Sequence, residues 1–350
     1  MKNIFFGAFI MFSTSLAQMN VQKKIDSLLS EYDGNNPGAA VMVIQNGEIV
    51  LDKSFGLADI ENNKTVSSST NFRLASVTKQ FTSHAILKLI NEGKIGFSTT
   101  LKEVWTDFPE YGKNINIKHI LTHTSGMIDY ESLIPDTATM QVKDSDVLKM
   151  LMSVDSVYFN PGEVFRYSNS GYAVLAMIVE KISGKSFGEY LKEIIFSPLN
   201  MNYTLALEDG INQVENRAYG NVRSDKGWIK KDQSLTSAVL GDGGVYSSIN
   251  DLYKWDQSLY TNKIIPLELK EDAFTRQQLN DGKVIDYGYG WRLTKLYENE
   301  VVYHTGSTIG GRTIIYRIPS KKLTVIFLSN RDEGDTLLIA ETIAKHYLER

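Results

Sequence analysis

The sequence predicts an α+β fold: one antiparallel sheet built from both chain ends, flanked by helices, with a mainly helical second lobe between them. Two observations predict it. Short apolar runs bounded by turn residues cluster near the two termini, and the middle of the chain carries helical periodicity instead. With 350 residues there is room for a large core, and 42% apolar and 22% charged residues are ordinary proportions for a globular protein. The expected division is a short leader over 1–17 and a single unit over 18–350. Within that unit an α/β lobe covers about 18–100 and 240–350, and a helical lobe about 101–239.

Taken in order, Lys2, the apolar run Ile4 to Phe12 and the small-residue site Ser15-Leu16-Ala17 read as a secretory signal peptide cleaved before Gln18. The run is too short to span a bilayer comfortably, so no stable membrane anchor is expected after cleavage. Val21 to Tyr32 reads as a helix with Val21, Ile25, Leu28, Leu29 and Tyr32 on one stripe. Ala40 to Ile44 and Glu48 to Ser54 are strands joined by Asn46-Gly47, a type I′ hairpin signal. A long apolar helix follows from about Ser76 to Asn91, ended by Gly93.

Further helices are expected at Ile117 to Thr122, Val142 to Met152, Gly171 to Ile182 (apolar on nearly all sides and closed by Gly184) and Ser186 to Phe196. Residues 204–235 are polar and irregular, a surface loop with short strands at most. Strands return at Val301 to His304, Thr313 to Arg317 and Leu323 to Leu328. Thr336 to Leu348 closes the chain as an amphipathic helix turning Leu337, Ala340, Ile343, Ala344 and Tyr347 inward.

Composition narrows the chemistry. Net charge is −4 and no long Lys/Arg run occurs, so nucleic acid is not an expected partner. There is no cysteine, hence no disulfide, thiolate metal site or cysteine nucleophile, which fits an exported bacterial protein. The composition names no cofactor and no metal, and it is silent on oligomeric state.

The most informative stretch is Ser76-Val77-Thr78-Lys79, where an extended segment gives way to the long apolar helix. A serine three residues before a lysine puts hydroxyl and amine on one helical face within contact reach. A serine hydroxyl needs a base to become a nucleophile, and an unprotonated lysine can be that base. The N–H groups of the same helix end can stabilise an oxyanion. Ser76 is the only serine of the chain in an S-x-x-K string. Tyr167-Ser168-Asn169 ends where the buried helix begins. A tyrosine hydroxyl near a lysine can relay protons, and Asn169 can orient both lysine and substrate amide. The same Y-x-N spacing recurs elsewhere, at Tyr260 and Tyr297 among others, but not before a buried helix. His304-Thr305-Gly306-Ser307 ends a strand at which Gly306 would let a substrate backbone approach.

In this order the three motifs resemble the β-lactamase and penicillin-binding-protein superfamily, in the branch with class C β-lactamases, D-alanyl-D-alanine carboxypeptidases and related esterases. Leu121-Thr122-His123-Thr124-Ser125-Gly126, Phe196-Ser197-Pro198-Leu199-Asn200-Met201 and Gly243-Gly244-Val245-Tyr246-Ser247-Ser248 are similar to it as well. The resemblance implies Ser76 as the acylated nucleophile and Lys79 with Tyr167 sharing proton transfer, the base between them left open. It implies substrate contacts from Asn169, His304, Thr305, Gly306 and Ser307, with Ser76 N–H and Ser307 N–H as the oxyanion hole. The implied partner is a small-molecule or peptide substrate: a D-amino-acid peptide, a related amide or an ester. His304 stands where β-lactamases of this branch carry lysine, and histidine is largely neutral at pH 7. That argues against efficient β-lactam hydrolysis unless Arg312 supplies the missing charge. A true β-lactamase and a penicillin sensor without turnover are the alternatives.

Two rivals rest on weaker signals. His119 and His123 have the i, i+4 spacing of a zinc helix, but Ile120 stands where the glutamate base would be. An α/β-hydrolase needs a G-x-S-x-G elbow, and the chain has none. His84 and His346 belong to no motif.

Overall fold

The computed structural model describes residues 19–349, so the signal-peptide reading falls outside the described residues. Along the chain the elements that frame the site are β1 (Ala39–Gln45), β2 (Glu48–Phe55), α1 (Lys79–Asn91), α2 (Asp144–Met152), α3 (Asn169–Ser183), α4 (Leu240–Gly243), β3 (Arg292–Leu296), β4 (Asn299–Thr308), β5 (Gly311–Ile318), β6 (Leu323–Ser329) and α5 (Thr336–Leu348).

The strands form one six-stranded antiparallel sheet in the order β3-β4-β5-β6-β1-β2, so the two chain ends meet where β1 pairs with β6, Ala39 opposite Ser329. Asn46 and Gly47 both have positive φ, 54° and 85°, as the tight turn between β1 and β2 requires. The central strands are buried on both faces, which is why they read as continuous apolar runs rather than alternating ones. Val41, Val43, Val325 and Phe327 pack outward against the N-terminal helix and α5, whereas Ala40, Met42, Ile326 and Leu328 face a second core that continues through α1 and α3. Apolar burial on both sides of the sheet is the main stabilising term of such a layered fold.

Most expected elements have their observed counterparts. α3 is buried along most of its length and ends at Gly184 with φ 72°. Gly93 closes α1 as its N–H bonds Ile90 and Lys94 N–H reaches back to Leu89. Residues 204–235 carry only the short strands Leu205–Ala206, Asn221–Ser224 and Gly227–Lys230. Four differences are local. The long helix opens as a 3₁₀ turn over Ala75–Thr78. The 186–196 helix finishes as a π turn over Lys192–Phe196. Leu28, expected on the buried stripe, is 37% exposed, because Val21, Ile25 and Leu29 already fill the sheet-facing side. β3 is an edge strand that apolar pattern did not announce, since Arg292 and Lys295 interrupt it. Among the described residues no helix is long and apolar enough to cross a membrane.

Candidate active site

The 3₁₀ turn Ala75–Thr78 is held from beneath. Thr313 Oγ1 donates to the Leu74 carbonyl at 2.7 Å, and Gly306 of β4 passes directly under Leu74 and Ala75. Ala75 takes φ 49°, a conformation uncommon for a residue with a Cβ, which marks a sharp entry into the helix. Ser76 follows it, half-buried, with its N–H in the first helical turn where no intrahelical acceptor is available.

Lys79 begins α1 and is wholly buried. Its Nζ has three partners: Ser76 Oγ at 3.2 Å, Asn169 Oδ1 at 2.9 Å and the Asp242 carbonyl at 2.8 Å. Asn169 opens α3 and also donates from Nδ2 to Glu131 Oε1 at 2.9 Å. Two of the three lysine partners are carbonyl oxygens, which only accept. An unprotonated Lys79 has two N–H groups for those two acceptors, and its lone pair is then left facing the Ser76 hydroxyl.

The Tyr167 ring lies beside this cluster, with Lys79 Nζ 4.9 Å and the Arg292 guanidinium carbon 5.1 Å from its centroid. Its hydroxyl is buried and has no hydrogen-bond partner among the described residues. The rings of His123 and His304 lie 4.3 and 6.0 Å from it.

His304 is 1% exposed. Its Nδ1–H donates to the Thr305 carbonyl at 2.7 Å, and Nε2 accepts from the Tyr287 hydroxyl at 3.0 Å. Burial first, then the Arg292 cation, hold it well below the ordinary histidine range, so it is neutral. Of its motif, Ser307 and the next residue, Thr308, line the cavity at Ser76, together with Arg73, Tyr130, Glu131, Asn169, Thr236 and Asp242; the cavity measures about 90 Å³. β3 pairs with β4 only as far as Tyr303, which leaves the edge of β4 from His304 to Thr308 without a strand partner among the described residues, beside the turn that carries Ser76.

Arg312 Nη1 donates to the Thr308 and Gly311 carbonyls, both at 2.8 Å, and so fastens the β4–β5 hairpin tip. The cation in the cavity wall is Arg73, whose side chain bonds the Gly243 and Ser237 carbonyls at 3.1 and 3.0 Å. Sequence reasoning passed over Arg73, Glu131, Asp242 and Tyr287. For Arg73, its position three residues before Ser76 was a usable signal; the other three are brought in from segments distant in the chain.

The two histidines of the i, i+4 pair have separate tasks. His119 Nδ1 accepts from Asn116 N–H at 3.3 Å in a capping box, and His123 Nδ1 accepts from Ser168 N–H at 3.1 Å. No group of three His, Asp or Glu side chains among the described residues stands close enough to share a metal ion.

The β-lactamase family model matches residues 21–348. A penicillin-binding protein of Bacillus subtilis (strain 168) is 35% identical over 309 residues, 84% of this chain and 68% of that protein. A D-aminopeptidase of Gluconobacter oxydans is 25% identical over 337 residues, 93% of this chain and 61% of that protein. Among solved structures, the octameric penicillin-binding protein homologue from Pyrococcus abyssi has a TM-score of 0.81 at 25% identity, covering 95% of this chain and 77% of that one.

Proposed function

The chain belongs to the β-lactamase family, whose members are serine hydrolases, and from that premise we propose that it is an exported hydrolase that forms an acyl-enzyme on Ser76. The observation that carries this reading is the partner set of Lys79: two acceptor-only carbonyls and one hydroxyl. In acylation Ser76 Oγ bonds to the substrate carbonyl carbon and its proton passes to Lys79. The oxyanion rests on Ser76 N–H and Ser307 N–H. The C–N or C–O bond then breaks, and the leaving group takes the proton from Lys79, directly or through the Tyr167 hydroxyl. Water attacks the acyl ester, gives a proton to the same base, and releases the acid as Ser76 recovers its hydrogen.

The substrate class that fits the cleft best is an amide, peptide or ester of a D-amino acid. Glu131 supports it, an exposed carboxylate beside Asn169 that can accept from a substrate ammonium group. The neutral His304 supports it too, since it offers no charge to a β-lactam carboxylate. The D configuration is carried over from the D-aminopeptidase relative. Export rests on the leader motif over residues 1–17.

The test is intact-mass analysis after incubation with a fluorophosphonate and with a penicillin. Wild type gains an adduct from at least one probe and Ser76→Ala gains none. Labelling that persists in Ser76→Ala would remove Ser76 from the nucleophile's role. A D-alanyl amide, a p-nitrophenyl ester and nitrocefin assayed side by side rank the substrate classes, with nitrocefin expected last.

A further inference from the structure

Resting on the reading of Lys79 as base, we propose that Asp144, on α2 of the helical lobe, is a positioning residue for the reaction: its carboxylate fixes the backbone carbonyl that orients the lysine. The geometry of Lys79 depends on the Asp242 carbonyl, and that carbonyl belongs to a segment with little of its own to hold it. α4 is a single turn of four residues, two of them glycine, with a third glycine next at 244. A glycine-rich turn this short is not self-supporting, so its order must come from outside.

Asp144 supplies much of it. Oδ2 accepts from Leu240 N–H at 2.7 Å and Oδ1 from Gly241 N–H at 3.0 Å. One buried carboxylate thus satisfies two of the N–H groups that a helix start leaves unpaired. The rest of the segment is pinned around that grip. The Gly241 carbonyl accepts from Thr82 Oγ1 at 2.7 Å, and the Asp242 carboxylate accepts from the Tyr130 hydroxyl at 3.2 Å. Arg73 holds the Ser237 and Gly243 carbonyls from the sheet side. There is no slack on the helical side: a Cβ on Gly241 would stand 2.3 Å from the Tyr172 carbonyl oxygen.

Asp144 itself touches neither Ser76 nor Lys79 and does not line their cavity. Its effect is indirect. If the Asp242 carbonyl shifts, one lysine N–H loses its acceptor, and the amine is free to turn its lone pair away from Ser76. A displacement on the order of 1 Å in such a group changes rate by roughly a hundredfold.

The test compares wild type, Asp144→Asn and Asp144→Ala in the full mature chain. The readout is the fluorophosphonate acylation rate constant per folded molecule, with Tm and circular dichroism recorded separately. Asp144→Asn keeps one acceptor but turns an amide N–H₂ toward the second backbone N–H, and acylation slows by about tenfold. Asp144→Ala slows it by about a hundredfold. With a p-nitrophenyl ester the loss falls mainly on kcat, and KM stays within about twofold, because only Asp242 and Gly243 of the cavity wall belong to α4. A residue with only a structural role would lower Tm and leave the acylation rate per folded molecule unchanged; that result overturns the proposal. Should Asp144→Ala fail to fold, the near-isosteric Asp144→Asn decides alone. Wild type that takes no label at Ser76 would refute the acyl-enzyme reading instead, so the two failures are distinct.

Discussion

Gly306 runs so close beneath the Ser76 turn that a Cβ built on it would stand 2.2 Å from the carbonyl oxygen of Leu74. This spacing sets the depth at which the 3₁₀ turn sits on the edge of β4, and hence the gap between Ser76 and the Ser307 backbone. Gly306→Ala has to lift the turn from the strand or twist the strand away from it. The expected outcome is a loss of about 1–3 kcal/mol in stability, as for other overpacked sites, with acylation slowed more than the Tm change alone accounts for. Chemical denaturation and a fluorophosphonate time course measure the two effects. A variant that acylates at the wild-type rate would show that the turn and the strand edge are not coupled.

Lys79→Met removes the amine and keeps the length of the side chain. The Asn169 and Asp242 carbonyls then lose their shared donor in a buried place. Acylation is expected to drop by about 10²–10⁴-fold, the usual contribution of a general base. Asn169→Ala leaves the amine in place and frees one of its N–H groups, so its loss is smaller. Stopped-flow or mass-resolved labelling of the three proteins orders them as wild type, Asn169→Ala, Lys79→Met. Near-normal labelling of Lys79→Met would move the base role to Tyr167.

How much of this was legible in the sequence follows from the reach of each interaction. Ser76 and Lys79 are three residues apart, the Asn46-Gly47 turn is dictated by two adjacent residues, α5 announces itself by local periodicity, and α3 by an apolar run closed by Gly184. Asp242 and Glu131 come from segments without a readable pattern, and Asp144 from a helix whose pattern does not name the partner of its carboxylate, because each finds that partner tens of residues away or more. Arg312 looked available as the missing cation because its hairpin-tip acceptors lie in a turn that local sequence underdetermines; in the structure it bonds the carbonyls of that tip and does not line the cavity at Ser76. The neutrality of His304 could be anticipated, but not its orientation, since Tyr287 reaches it from a loop without a motif.

Glu131 places a carboxylate in the wall of the cavity, and the proposed substrate class makes that charge testable. Glu131→Gln keeps an acceptor for Asn169 Nδ2 and removes the negative charge. KM for a D-amino-acid amide with a free ammonium group is expected to rise about threefold to tenfold. The increase is modest because an exposed ion pair is screened. KM for the N-acetylated counterpart should stay unchanged, and the difference between the two substrates should shrink at 0.5 M salt. Equal effects on both substrates would mean that Glu131 acts only by supporting Asn169.

The pH dependence of stability has two opposed contributions. Burial holds His84 down to about 3, with its Nδ1–H bonded to the Gln80 carbonyl at 2.9 Å. Burial also pushes Asp144 up to about 7 and Asp242 up to about 6. For His84 the unfolded chain binds the proton first, so its contribution is complete above the ordinary histidine value near 6.5 and is lost as pH falls toward 3. For the two aspartates the folded chain binds the proton first, so their contribution is complete below about pH 4 and is lost as pH rises through 6 and 7. Tm measured from pH 4 to 8 should therefore fall less steeply on the acid side in His84→Gln, and less steeply between pH 5 and 7.5 in Asp144→Asn, each relative to wild type. The comparison is of slopes, so a uniform drop in Tm from the substitution itself does not disturb it. A wild-type slope between pH 5 and 7.5 that survives intact in Asp144→Asn would mean that Asp144 stays ionised throughout that range.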